Sequence, residues 1–259
     1  MEAGELILLL AAALAAGWVD AVVGGGGLLQ LPVLLLAGLT PVQALATNKS
    51  AAIFGTASAA VTYARRIKLD RGVAVPAGLL AVAFAGLGAA SAAMLDPDLL
   101  RPLVLAALLG VAAFVTLRPS LGRLPHPHLR TARRVAAAVA VAGMAIAFYD
   151  GILGPGTGTF LIIAFAAILG MDFVRASATA KVINVGTNLG ALLVFGAQGH
   201  VLWPLGLAMA VCNIAGAQLG ARMALRRGAS RLAGRVVPGF AMLVNAAGRE
   251  RALRELAGR

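Results

Sequence analysis

Residues 24–50 read GGGGLLQLPVLLLAGLTPVQALATNKS, and residues 156–182 read GTGTFLIIAFAAILGMDFVRASATAKV. Laid over each other at an offset of 132 residues, they pair Gly24 with Gly156, Gly26 with Gly158, Gly38 with Gly170, Ala44 with Ala176, Ala46-Thr47 with Ala178-Thr179 and Lys49 with Lys181. Further along, Gly88 meets Gly220 at the same offset. Asp20 and Asp150 each precede the first glycine of a glycine-rich break, with a two-residue slip in register. Self-similarity of this kind marks an internal duplication, to be settled before any local reading. Each copy has a Gly-rich break, Gly24-Gly25-Gly26-Gly27 or Gly154-Pro155-Gly156-Thr157-Gly158, where helix geometry is not expected to persist.

The composition around the repeat places both copies in a bilayer. Of the 259 residues 60% are hydrophobic and 12% charged, and the mean hydropathy is +0.91. An ordinary soluble domain carries about twice that charge. Apolar segments run over 6–23, 28–39, 42–64, 73–95, 99–117, 135–153, 158–170, 173–197, 201–221 and 236–247. A crossing helix takes roughly 20 residues, so about eight to ten segments fill the chain and leave no room for a soluble catalytic domain. The runs are continuous rather than alternating, which excludes a transmembrane barrel. Three segments, 28–39, 158–170 and 236–247, are too short to cross comfortably, and two of them follow the breaks. The expected fold is an all-α, polytopic helical bundle.

Charge sets the orientation. The net charge of +12 would suit nucleic acid, but its basic residues cluster between hydrophobic segments and read as cytoplasmic loops. Arg65-Arg66-Ile67-Lys68 is basic, whereas its equivalent Gly196-Ala197-Gln198-Gly199-His200 has no Arg or Lys. Acidic Leu95-Asp96-Pro97-Asp98 corresponds to a basic stretch from Arg222 to Arg235, and the turn Thr40-Pro41 to one carrying Arg175. Three loop pairs swap sign, as inverted copies require. The expected division is a first repeat over 1–117, a basic cytoplasmic linker over 118–134 and an inverted second repeat over 135–259, with the N-terminus outside. Its leading segment lacks a basic n-region and reads as a retained helix. A full crossing by 236–247 would put Arg249, Arg251, Arg254 and Arg259 outside, so that crossing stays open.

Two copies, each with a Gly-rich break, a short apolar segment and then ALATNKSAAIFGTASAAVTYARR (44–66) or ASATAKVINVGTNLGALLVF (176–195), resemble the sulfite exporter TauE/SafE family of membrane permeases. The likeness covers nearly the whole chain and is nearest the bacterial branch with ATNK in one copy and ATAK in the other. It implies a multi-pass protein of the bacterial inner membrane and a secondary transporter or exporter of small anions, typically sulfite, sulfonates or related sulfur oxyanions. Composition and spacing alone reach only an inverted-repeat transporter.

Between residues 6 and 64 the only charged side chains are Asp20 and Lys49, both within apolar segments. A charge at a helix centre costs about 2.5–3.5 kcal/mol on insertion scales, so it lines a polar cavity or finds a partner. Lys49 and Lys181 are therefore candidates to hold an anion; the alternative is snorkelling to the headgroups. Helices that start inside a membrane present free N–H groups and a positive dipole end, which makes Gly24, Gly25, Gly26, Gly156 and Gly158 candidates for close approach of an oxyanion, or else sites of tight helix packing. Thr47, Asn48, Thr179, Asn184 and Asn188 can hydrogen-bond an anion or glue helices together, with Asn184 and Asn188 on roughly the face of Lys181. Gln30, Asn213 and Gln218 are weaker candidates of the same kind. Asp20 and Asp150 can carry a proton and couple transport to the proton gradient, or can pair with the two lysines or lie near a membrane surface. Tyr63, Trp18 and Trp203 read as interfacial anchors.

The expected mechanism is alternating access around a small anionic solute, without a cofactor. The rivals are a passive anion channel and an intramembrane aspartyl hydrolase using Asp20 and Asp150. The hydrolase fits poorly because no Gly-X-Gly-Asp follows in the partner segment. Cys212 is the sole cysteine, so neither an intramolecular disulfide nor a cysteine-built metal site exists. His126 and His128 could form a metal pair but read better as a solvated loop, and no metal site is assigned. The partners expected are the lipid bilayer and the solute, not nucleic acid, with a homo-oligomer left open.

Overall fold

The computed structural model describes residues 3–117 and 127–227. The segment 236–247, the basic tail, Arg231, Arg235, His126 and most of the proposed linker lie outside them. Every regular element among the described residues is helical. The first half comprises α1 (Ala3–Val23), α2 (Gly27–Leu36), α3 (Pro41–Ala64), α4 (Arg71–Met94) and α5 (Pro97–Leu117). After a short 3-10 turn at Pro127–Leu129 come α6 (Ala132–Ile152), α7 (Thr157–Leu169), α8 (Phe173–Ala197) and α9 (Trp203–Arg227). Long, short, long, long is thus the order of α1–α4 and again of α6–α9, with α5 an additional long helix of the first half. Helix α6 contains a π-turn over Val141–Ile146.

Local chemistry explains where the elements stop. Helix α1 ends where Gly24 turns left-handed, at a φ of +84°, and α7 starts from Gly156 at +73°. The short helices close on Gly38 and Gly170, both left-handed and paired in the sequence repeat. Leu39 N–H reaches back to the Leu34 carbonyl, the 6→1 bond of a Schellman end. Helix α3 opens with a full capping box, Thr40 with Gln43, and Pro41 in its first turn. Helix α8 opens on Asp172, whose carboxylate accepts from Val174 N–H and Arg175 N–H.

Among the described residues five helices are both long and apolar enough to cross a bilayer: α1, α4, α6, α8 and α9. The side chains of Ile7, Leu79, Met94, Leu193 and Val211 are exposed, which gives the bundle an apolar outer surface suited to lipid. Helix α3 is as long as these, but Thr47, Asn48, Lys49 and Ser50 lower its hydropathy, and all four are buried. Its polar side is turned inward.

The helices pack through small residues. Helix α1 lies along α9 as α4 lies along α6, and α3 meets α9 as α4 meets α8, while α3 and α8 face each other. These contacts recur with α1–α4 and α6–α9 exchanged, whereas α5, which packs on α3, has no counterpart among the described residues. A Cβ on Gly88 would fall 2.2 Å from the Phe148 carbonyl oxygen, and one on Gly220 would fall 2.6 Å from that of Trp18. Phe148 and Trp18 carry the same two-residue slip as Asp150 and Asp20. Close backbone approach through glycine is how helices gain contact where lipid offers no hydrophobic drive.

Candidate functional site

The two glycine breaks meet each other. Thr159 N–H donates to the Gly24 carbonyl at 3.2 Å, and the Thr159 hydroxyl donates to the Val23 carbonyl at 2.9 Å. A Cβ on Gly24 would stand 2.4 Å from the Gly158 carbonyl carbon, so the backbones touch where only glycine fits. At this point the packing reading of Gly24 and Gly158 holds as geometry, and one N–H of the α7 first turn is already used by protein.

Beside the junction lies a cavity of about 30 Å³, bounded by both breaks and by residues of α1, α2, α3, α6, α7, α8 and α9. Its polar walls come from Asp20, Gln30, Asn48, Lys49, Thr56, Asp150, Thr157, Asn184, Asn188 and Asn213. Gly24, Gly26, Gly156 and Gly158 line it; Gly25 does not. Thr47, Thr179 and Lys181 are also absent from its wall. The Thr47 hydroxyl instead accepts from Leu202 N–H at 3.2 Å and so tethers the entry to α9. The stripe Lys181, Asn184 and Asn188 is thereby divided, with both asparagines on the cavity and the lysine behind it.

Both lysines are buried, 1% exposed each, which rules out snorkelling in this conformation. Each finds a carboxylate in the opposite half. Lys49 Nζ lies 2.6 Å from Asp150 Oδ2, and Lys181 Nζ lies 2.7 Å from Asp20 Oδ2. The crosswise pairing leaves the four groups formally neutral together. Two uncompensated charges in a low-dielectric interior would be far costlier than two pairs, which explains why each intramembrane cation comes with an anion.

The carboxylates are held differently. The Asp150 side chain is 3% exposed and its second oxygen, Oδ1, accepts from the Thr157 hydroxyl at 2.6 Å. The Asp20 side chain is 16% exposed; the Thr56 hydroxyl donates to Oδ2 at 3.3 Å, and no hydrogen bond among the described residues reaches its Oδ1. Lys181 Nζ also donates to the Asp20 backbone carbonyl, a second partner that Lys49 lacks. Thr56 and Asn188, equivalent positions of the repeat, join directly through the Asn188 amide at 3.5 Å.

Sequence reading undervalued Gln30 and Asn213. Asn213 Nδ2 donates to Gln30 Oε1 and to the Ala13 carbonyl. Gln30 Nε2 and Asn48 Oδ1 remain buried without a hydrogen-bond partner. Thr56, in a run of small residues, and Thr157, inside the second glycine break, carry no signal of their own until their neighbours are known. Tyr63 is corrected: it is fully buried and its hydroxyl donates to the Ala21 carbonyl at 2.9 Å, so it braces α3 against α1 rather than anchoring at an interface. Trp203 is exposed, as an anchor should be, and Trp18 is half-buried. His128 is exposed.

Comparison with known proteins fits this architecture. The family model described as sulfite exporter TauE/SafE matches residues 9–247. The chain belongs to the TauE/SafE family. A "Probable membrane transporter protein ORF9" from Sinorhizobium sp is 38% identical over 224 residues, covering 86% of this chain and 85% of that protein. The "Probable membrane transporter protein YfcA" of Escherichia coli K12 is 35% identical over 220 residues, covering 83% and 79%. A "Probable membrane transporter protein" of Haemophilus influenzae is 31% identical over 231 residues, covering 86% of each chain. No solved structure gives a significant match. This TauE/SafE member is a multi-pass membrane protein, with its buried charges gathered where its two halves join.

Proposed function

We propose that the protein is a secondary transporter of small anions, with sulfite, sulfonates and related sulfur oxyanions as the substrate class, working by alternating access between two inverted copies in the bacterial inner membrane. The observation that carries this reading is the crosswise ion-paired cavity at the junction of the two broken helices. A discontinuous helix pair with polar groups between the halves is the arrangement that transporters use for a solute. Lys49 supplies charge, Asn48, Asn184 and Asn188 supply neutral hydrogen bonds, and Gln30 Nε2 offers a buried donor still in need of an acceptor. Thr47 and Thr179 support the helices behind this wall.

The cavity holds roughly two waters, so an oxyanion enters only as the halves part. The exchange-symmetric contacts supply the means: one half rocks against the other and exposes the same wall to either side. A hydrolase reading is disfavoured, because an aspartyl dyad shares a proton between adjacent carboxyls, whereas here each carboxylate binds its own lysine. The test is uptake of labelled sulfite, sulfate, thiosulfate and a small sulfonate into proteoliposomes, with and without a pH gradient. Gradient-dependent accumulation of one of them supports the reading. Flux that never exceeds equilibration would make the protein a channel, and absence of all four fluxes would remove sulfur oxyanions.

A further inference from the structure

The two ion pairs, equivalent in sequence, are unequal in structure, and the inequality has a chemical direction. Both carboxylates line the cavity, but Asp150 is the more enclosed: its Oδ1 accepts from Thr157, its Oδ2 stands beside the Lys49 ammonium, and its side chain is 3% exposed against 16% for Asp20. Asp20 faces the cavity, with Oδ1 available. Lys181 lies behind Asp20, outside the cavity wall, so its charge is masked from the cavity by the carboxylate in front of it. If Asp150 took a proton, Lys49 would lose the one anionic partner it has among the described residues. If Asp20 took one, Lys181 would keep the Asp20 backbone carbonyl and remain held in place as a cation.

We infer that Asp20 is the proton acceptor of the transport cycle, that Asp150 with Lys49 is a fixed pair, and that one proton accompanies each monoanion in the same direction. The inference rests on the anion-transport reading above and specifies how its site is charged.

Charge balance requires the proton. Asp20, Asp150, Lys49 and Lys181 sum to zero, so a monoanion entering alone would leave an uncompensated negative charge in a medium that tolerates none. Protonating Asp20 as the anion arrives restores neutrality and unmasks Lys181, whose positive charge then faces the solute. No bond to the anion forms or breaks; the proton goes from water to Asp20 Oδ1 and leaves again with the solute on the far side.

The other groups facing Asp20 fit this role. On α8 the facing charge is Lys181; on α3 the hydroxyls of Thr56 and Tyr63 lie nearby, Tyr63 donating to the neighbouring Ala21 carbonyl. From α2, Gly26 packs against Asp20 Cβ. Across the cavity stand Lys49 and Asp150, already paired with each other. Among the described residues, α9 contributes uncharged Asn213 to this wall. Among the described residues the second carboxylate on this cavity is Asp150, which Lys49 and Thr157 hold on the far wall.

The test uses the full-length protein in proteoliposomes with methanesulfonate and sulfite as probes, measuring two quantities: exchange of labelled for unlabelled anion without a gradient, and net accumulation driven by pH. Methanesulfonate cannot carry the proton itself. One proton per monoanion is electroneutral, so accumulation should reach about tenfold per pH unit and ignore membrane potential. Asp20→Asn should abolish accumulation while exchange persists, and Asp20→Glu should restore accumulation. Asp150→Asn should impair exchange and accumulation alike. Infrared difference spectra of the wild type on adding methanesulfonate should show a new protonated carboxyl band, shifted in Asp20→Glu and missing in Asp20→Asn.

Undiminished accumulation by Asp20→Asn, or a carboxyl band that survives it, overturns the assignment while leaving anion transport standing. Accumulation of about a hundredfold per pH unit refutes the one-proton stoichiometry. Should the wild type exchange neither probe, the transport reading falls and the role of Asp20 falls with it. If Asp20→Asn does not fold, a wild-type band unmoved by Asp20→Glu is equally decisive against it.

Discussion

Replacing Lys49 and Asp150 singly and together tests whether the buried pair holds the two halves together. Their charged atoms stand 2.6 Å apart with side chains 2% and 3% exposed. Removing one partner strands the other charge in a dry interior, and such losses run to about 3–5 kcal/mol. Lys49→Met is therefore expected to destabilise by about 3 kcal/mol, and Asp150→Asn by a similar amount, its amide oxygen still able to accept from Thr157. The double variant leaves no uncompensated charge and should recover most of the loss, giving a coupling of about 2–3 kcal/mol in a double-mutant cycle. At roughly 2–4 °C per kcal/mol for a protein of this size, each single variant should melt about 6–12 °C lower than wild type. The assay is thermal unfolding in one detergent, with all four proteins at matched concentration. Additive losses, or a Lys49→Met variant as stable as the wild type, would refute the claim that the pair is mutually neutralising.

Three further outcomes follow from named contacts. Gly24→Ala should fail to accumulate as folded protein, because its Cβ would press on the Gly158 backbone at 2.4 Å from a left-handed φ, whereas Gly25→Ala meets the flexible Leu28 Cδ1 at 3.2 Å and otherwise only side chains at ordinary contact distance, and should be recovered folded; size-exclusion profiles separate the two. Tyr63→Phe should cost about 1 kcal/mol through the lost bond to Ala21 and leave anion exchange unchanged, as melting and flux measured together will show. Asp70 accepts two hydrogen bonds from Arg130, which hold its carboxyl below the usual carboxylate range. A carboxylate depressed in the folded state contributes stability above its unfolded value of about 3.9 and loses it as pH falls through the lower folded value. With Arg130 half exposed the contribution is at most about 1 kcal/mol. Hydrogen exchange at Arg130–Arg134 should therefore quicken below about pH 4, relative to the intrinsic rate, and should already be fast at neutral pH in Asp70→Asn.

Most of the architecture could be read without coordinates because bilayer physics is severe and local. Continuous apolar runs can only be helices there, glycine clusters stop them, and a charge inside one needs a reason. The same logic placed Asp20, Lys49, Asp150 and Lys181 together as residues of interest. It also set Gly38 over Gly170, and both end their short helices in the left-handed conformation.

What stayed hidden was which group meets which. Spacing along one helix shows that Lys181, Asn184 and Asn188 share a face, but the depth of that face against another helix divided them, two on the cavity and one behind Asp20. Tyr63 looked like an anchor because a tyrosine near a helix end usually is one; the cluster it forms with residues of α1, α8 and α9 buries it completely. The sequence by itself determined a helical membrane bundle with four charges inside its apolar segments, since the cost of inserting a residue is set by its type and its place along one segment. Only the tertiary structure decided that those charges pair between halves and that one carboxylate is almost wholly buried while its twin is partly exposed, because pairing and exposure depend on distances between helices that no single helix specifies.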